Sequence, residues 1–268
     1  MLFRSRRSQE VAGEWWWPTE LSAPGAFDQL EPRVTSALRS AWLAYQPIVF
    51  ARNSNVFGHE ALLRTREGAF SAPPALLDAA GRFGLRPEVG RLVRRMLAGF
   101  LTSGVAEDHV VFFMNVIAAD LLDPHFLAPA AALSSWASRV ILEITDGPEL
   151  HRVRDLGLRL AALRGLGYRV ALEESAAGDG LESLAVVDPD VVRIGRGLVR
   201  GIGNSAEQQR KVASTIARAS ARGCLVVAGL VESAQERAVL VDLGVDLLQG
   251  FFFKKPAAWR VVPGRLSA

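Results

Sequence analysis

"RVILEITDGPELHRVRDLGLRLAALRGLGYRVALEE", residues Arg139 to Glu174, decides the fold. A short apolar run, "RVILEIT", gives way to a helical stretch, "DLGLRLAALRGLG", and then to a second apolar run, "YRVALEE". Short apolar runs separated by a helix read as a strand–helix–strand unit with parallel strands. The alternation continues on both sides. Upstream, "AWLAYQPIVF" and "VFGHEALLR" read as strands joined by a turn at Asn53-Ser54-Asn55. "PPALLDAAGRFG" and "PEVGRLVRRMLAGFLTSG" read as helices, "HVVFFMNV" as a buried strand and "AADLLDPHFL" as a short helix. Downstream, helices at "LESLAVV", "AEQQRKVASTIARASARG" and "SAQERAVLVDLG" alternate with strands at "PDVVRIG", "CLVVAGL" and "VDLLQGFFF". About eight strands favour a closed, TIM-like (β/α)8 barrel over an open sheet. The barrel is expected over residues 36–268. Residues 1–35 form a short irregular arm, basic at Arg4, Arg6 and Arg7 and carrying "EWWWP".

Composition narrows the function classes. At 268 residues and 50% hydrophobic content, the chain is long enough for a sizeable core. No apolar run reaches the roughly 18 residues that span a membrane, and the basic start lacks the apolar stretch of a signal peptide. A single cysteine, Cys224, forms no internal disulfide and fits a reducing cytoplasm. A formal net charge of +3 does not by itself indicate nucleic acid, though it suits an anionic ligand where cations converge.

A barrel of this kind carries its chemistry at the C-terminal ends of its strands. The polar residues there are Glu60, Asn115, Glu143, Glu173 with Glu174, Arg193 and Gln249, with Glu232 just beyond the strand that ends near Gly229. Several carboxylates and an amide oxygen at one mouth make a hard, oxygen-rich site suited to magnesium or manganese.

At this point the chain resembles a known family. "YQPIV", "EALLR", "FMNV", "LEIT", "GYRVALEE", "PDVVRI", "AGLVE" and "LGVDLLQGFFFKKP" follow one another as in EAL domains, named for the triplet that stands here as Glu60-Ala61-Leu62. The resemblance runs from about Ser36 to Pro256. It implies a barrel whose first strand is antiparallel, and a protein that hydrolyses or merely binds the bacterial second messenger cyclic di-GMP. It also implies roles. Glu60, Asn115 and Glu143 match metal ligands, with Glu173 as a further, vestigial one. Arg64 matches the arginine that grips a ligand phosphate. Gln46 lines the nucleotide pocket, and Glu232 and Gln249 match further residues of the family site.

The departures bear on catalysis. Glu173-Glu174-Ser175-Ala176-Ala177-Gly178 replaces two aspartates followed by Phe-Gly-Thr-Gly. Arg193 replaces the lysine that helps hold the attacking water. Gly195 stands for an aspartate, Gly229 for the proposed general base, and Asp146 for an outer glutamate. Glycine neither accepts a proton nor ligates through a side chain, and general-base assistance typically contributes roughly 10²–10⁴-fold. Arginine presents a bulky planar fork where a compact ammonium stood. Magnesium demands near-ideal geometry, so two lengthened carboxylates must fold back to serve it. The chain is therefore expected to be a degenerate, non-hydrolytic member needing no cofactor, with magnesium or manganese entering only if the carboxylates still hold an ion.

Several alternatives stay open. Arg193 either neutralises Glu143 or Glu173 in place of a metal or grips a phosphate, and Glu173-Glu174 are either ligands or solvated charges. The arginines of "FGLRPEVGRLVRRML" read as a solvated face, Cys224 as packing, and His59, His109, His125 and His151 as scattered surface residues. "EWWWP" either packs on its own barrel or docks another protein. Three functions remain: a cyclic di-GMP receptor, a protein-interaction module without nucleotide, and a working phosphodiesterase. An unidentified protein partner is expected, and a homodimer is compatible with the chain. A membrane span and nucleic acid are not expected.

Overall fold

The computed structural model describes residues 32–70, 73–174 and 183–259. Its strands are β1 (Trp42–Phe50), β2 (Val56–Arg64), β3 (Val111–Val116), β4 (Val140–Thr145), β5 (Arg169–Glu173), β6 (Val191–Ile194), β7 (Leu225–Ala228) and β8 (Leu247–Leu248). They close into a barrel in chain order. β1 runs antiparallel to both β2 and β8, and every other neighbouring pair is parallel. The TIM-like barrel and its antiparallel first strand are both present.

The helices are α1 (Pro32–Arg39), α2 (Pro73–Arg82), α3 (Arg86–Thr102), α4 (Ala118–Leu121), α5 (Pro148–His151), α6 (Leu156–Gly165), α7 (Leu184–Val187), α8 (Arg196–Val199), α9 (Ala206–Ser220) and α10 (Ala234–Asp242). α1 crosses position 35, where the barrel was expected to begin. "EWWWP" and the altered loop at 175–182 lie outside the described residues. The Asn53-Ser54-Asn55 turn forms as expected. Ser54 takes a left-handed φ of 59°, and the Asn53 side chain accepts from the Asn55 amide at 3.0 Å.

Strand periodicity sorts the core into two layers, because successive side chains point to opposite faces. Leu43, Tyr45, Ala61, Phe112, Met114, Leu142, Val170 and Val226 face outward and pack in the shell between sheet and helices. Ile48, Phe113, Ile141, Ala171, Val191, Val227 and Leu247 face inward and fill the barrel axis. β2 contributes Gly58 to that level, where a Cβ would lie 2.6 Å from the Val111 carbonyl oxygen.

The final strand is shorter than its apolar run suggests. A Cβ at position 250 would run into the backbone of Val231, so Gly250 lets the two chain segments cross in contact. The chain then turns, with the Phe253 amide donating to the Gly250 carbonyl, and Phe251 and Phe252 are left exposed. "FFF" is a turn beyond the barrel rather than the end of β8.

Candidate functional site

Two residues above the apolar plug, each strand supplies one position to a single ring at the barrel mouth. The strand pairing sets the level: Phe113 lies beside Ile141, and two residues on, Asn115 lies beside Glu143; Glu173 lies beside Arg193, and Gln46 opposite Glu60. Gly229 and Gln249 follow β7 and β8 directly. The ring thus contains Gln46, Glu60, Asn115, Glu143, Glu173, Arg193, Gly229 and Gln249. Period-two alternation is the reason the strand-end residues read from the sequence meet.

Arg193 sits at the centre. It is 5% exposed, so its charge must be met inside the protein. Its Nη1 donates to Gln249 Oε1 at 2.5 Å. Its Nε forms an ion pair with Glu143 Oε1 at 2.7 Å, and its Nη2 lies 3.6 Å from Glu60 Oε2. Below it the Phe113 ring centroid is 5.8 Å away, within cation–π range. Burial works against the guanidinium charge, but Glu143, Glu60 and Glu173 outweigh it and hold Arg193 firmly protonated. Burial pushes the Glu143 carboxyl above the ordinary carboxylate range, and Arg193 opposes that push.

The other carboxylate is equally engaged. Asn115 Nδ2 donates to Glu60 Oε1 at 2.8 Å, and Gln249 Nε2 donates to Glu60 Oε2 at 2.8 Å. Gln249 Nε2 also reaches Gln46 Oε1 at 3.2 Å, and Gln46 Nε2 donates to the Lys254 carbonyl at 2.9 Å. Gly229 presents no side chain, and a Cβ there would stand 3.0 Å from Arg193 Nη1. Glu173 turns outward to Thr145, which donates to it at 3.0 Å. Of the two partners expected for Arg193, Glu143 is in contact and Glu173 is not; Glu60 takes its place. Glu174 is buried behind the ring, its amide donating to the Arg193 carbonyl at 2.9 Å. It is neither a ring member nor a solvated charge.

The remaining candidates lie at the rim. Arg64, half-buried, donates to the Leu63 carbonyl; burial lowers its pKa, and the nearby Glu60 charge offsets only part of that. Glu232 is exposed, and its amide rather than its carboxylate makes the local contact, to Glu236 Oε2 at 2.8 Å. Gly195 caps α8 with extended backbone.

Two sequence expectations need correction, those for His59 and for the arginines of α3. His59 is not a surface residue: it packs against Trp259, at 4.7 Å between ring centroids, and against Phe112, and burial with Lys254 nearby lowers its pKa to about 4. His151 is at the surface as expected, and its Nε2 lies 2.9 Å from both Asp146 Oδ1 and Ser183 Oγ. Ser183 in turn donates to Asp146 through its amide at 3.0 Å and its hydroxyl at 2.7 Å, so the β4 loop holds the start of α7. The arginines of α3 are not a solvated face, since Arg94 is buried and paired with Asp120 and Asp123. Sequence reasoning also missed Phe113, the floor beneath Arg193. Strand parity, which places it two residues before Asn115, was the signal that could have found it.

Two carboxylates and an amide are the donor chemistry that a hard divalent cation takes. Here the set is already committed to a fixed monocation. An ion between Glu60 and Glu143 would have to displace the Arg193 guanidinium or stand beside it. Among the described residues, no group of three or more His, Cys, Asp or Glu side chains is placed to hold a metal ion. The residues present do not fit a metal pair.

The EAL domain profile matches residues 33–256. The chain belongs to the EAL domain family. It is 27% identical over 225 residues to the cyclic di-GMP phosphodiesterase PdeF of Escherichia coli (strain K12), covering 80% of this chain and 30% of that protein. The chain therefore spans about a third of the length of that relative. The PaMucR phosphodiesterase, in a cyclic di-GMP complex, superposes with a TM-score of 0.72 at 25% identity over 84% of this chain and 96% of that one. Klebsiella pneumoniae BlrP1, in a manganese and cyclic di-GMP complex, superposes with a TM-score of 0.68 at 28% identity over 81% and 56%. Among the described residues of this EAL domain, no helix is long and apolar enough to cross a membrane.

Proposed function

We propose that this EAL domain binds cyclic di-GMP at the barrel mouth without cleaving it. One observation carries the reading: position 229 offers no proton acceptor, and the space beside it is taken by Arg193. Gly195 offers none either. A hydrolase of this geometry would lack general-base assistance. The phosphodiesterase and nucleotide-complex descriptions of PaMucR and BlrP1 support the nucleotide as the ligand class. Arg64 grips a phosphate at the rim, Gln46 and Gln249 line the pocket, and Glu232 closes its edge.

The test is calorimetric titration of the protein with cyclic di-GMP, with and without magnesium, followed by chromatography of the nucleotide. The expected result is binding heat in both conditions and intact nucleotide. Turnover comparable to an active relative, abolished by Glu60→Ala, would refute the reading. Absence of heat at millimolar nucleotide would leave the domain as a protein-interaction module.

A further inference from the structure

The ring contains two unusual residues that touch, and each accounts for the other. Arg193 is a fixed cation whose three nitrogens face Glu143, Glu60 and Gln249. Gly229 is a gap in the wall that this cation uses: a Cβ there would already stand 3.0 Å from Nη1, and any longer side chain would enter the volume of the guanidinium. The reverse also holds. A carboxylate at 229 would point at Arg193 and convert it from a bridge between Glu60 and Glu143 into the partner of a third acid. The Phe113 ring below and the Gln249 amide beside the guanidinium hold its plane. The planar fork supplies what a lysine ammonium, a compact point charge, does not: a spread cation that hydrogen-bonds Gln249 through Nη1 while Nε and Nη2 lie beside Glu143 and Glu60.

The consequence concerns ions. A divalent cation is drawn to a cluster of carboxylates by their unneutralised charge and by oxygens free to ligate. In this ring one Glu143 oxygen and one Glu60 oxygen face the guanidinium, and the other Glu60 oxygen accepts from Asn115. A guanidinium tethered by its own strand cannot diffuse away as a water or sodium ion would.

We infer that Arg193 and Gly229 are one coupled replacement. Together they place a tethered monocation between Glu60 and Glu143, so that the mouth is partly neutralised and the position a divalent cation would take is already filled. In such a site magnesium or manganese competes with Arg193 instead of assisting the ligand. The inference deepens the receptor reading and rests on it for the ligand class, but its test uses the metal alone and so fails or succeeds separately.

The probe is Mn2+, followed by loss of its free-ion electron paramagnetic resonance signal on titration into wild-type protein and variants. Wild type is expected to leave the signal undiminished at millimolar Mn2+. Arg193→Gln frees Glu60 and Glu143 and is expected to bind Mn2+ at least about tenfold more tightly than wild type, with a melting temperature that rises on adding Mn2+. Gly229→Glu alone is expected to gain nothing, because the new carboxylate pairs with Arg193. Gly229→Glu combined with Arg193→Lys is expected to gain most, which keeps the test alive if Arg193→Gln does not fold. Wild-type uptake of Mn2+ as tight as that of Arg193→Gln overturns the inference. So does a cooperatively folded double variant with no gain, or a gain from Gly229→Glu by itself.

Discussion

Two buried arginines in this molecule have nearly the same first description and different surroundings. Arg94, on α3, places Nη1 2.5 Å from Asp120 Oδ1 and Nη2 2.7 Å from Asp123 Oδ2. Arg91 grips both oxygens of Asp123, the Ile117 amide donates to Asp120 Oδ2, and the His125 amide donates to Asp123 Oδ1. The Phe126 ring centroid lies 4.4 Å from the guanidinium carbon. Every carboxylate oxygen of that cluster has a partner. Arg193 also faces two acids over an aromatic ring, but there Glu143 Oε2 has no hydrogen-bond partner, and Arg193 Nε and Nη2 meet carboxylates without hydrogen-bond geometry. Unsatisfied buried polar atoms cost about 1–3 kcal/mol each, so each one in a native structure calls for a reason. The α3 cluster is a closed staple between helices. The mouth keeps unused hydrogen-bonding capacity in the ring where the nucleotide is proposed to bind.

The contrast can be broken at its strongest point first. Arg94→Leu strands Asp120 and Asp123 inside the shell, and urea denaturation is expected to show a loss of about 3–5 kcal/mol. A loss no larger than that of Arg193→Leu would erase the distinction between staple and site. The next effect falls on ligand rather than fold. Arg64→Ala is expected to weaken cyclic di-GMP binding about tenfold to a hundredfold, the value of a charged hydrogen bond to phosphate. Glu60→Ala should weaken it far less, and calorimetry in the absence of magnesium separates the two. Each arginine cluster also has a glycine beside it, which sharpens the comparison. A Cβ at Gly90 would collide with the Asp120 carboxylate that Arg94 holds in place, so Gly90→Ala is expected to destabilise by about 1–3 kcal/mol. Gly229→Ala meets only the far end of the Arg193 side chain, and a change below about 1 kcal/mol in the same assay is expected.

Legibility in the sequence followed the range of the interactions. Strand–helix alternation revealed the barrel because each unit is local, and period two placed the ring residues because parity survives any barrel closure. What failed was contingent on distant chain. Nothing in "RPEVGRLVRRML" shows that Asp120 and Asp123 will fold over it. The outward turn of Glu173 depends on Thr145, a residue of the neighbouring strand. The end of β8 depends on the Val231 backbone passing against Gly250. His59 read as polar and therefore exposed, yet its strand position turns it toward Trp259. Arg193 was half legible: its charge predicted a carboxylate partner, and only the register decided which.

The closure of β1 has a consequence for the order of assembly. Val49 pairs with Leu248, Tyr45 exchanges backbone hydrogen bonds with Ala257, and the Gln46 side chain donates to the Lys254 carbonyl, a separation of 208 residues. A chain emerging from the ribosome therefore carries β1 with one edge unpaired until nearly all of the described residues have been made. Contacts this distant in sequence form late. Gln249, which joins Gln46 to Glu60, arrives with the same last segment. We expect that a nascent chain stopped after Asp242 retains no nucleotide, as a filter assay on stalled ribosomes would show. Retention there equal to the full chain would contradict it. Ligand capture would then report that the barrel has closed, and a domain cut short before β8 would bind none of the proposed nucleotide.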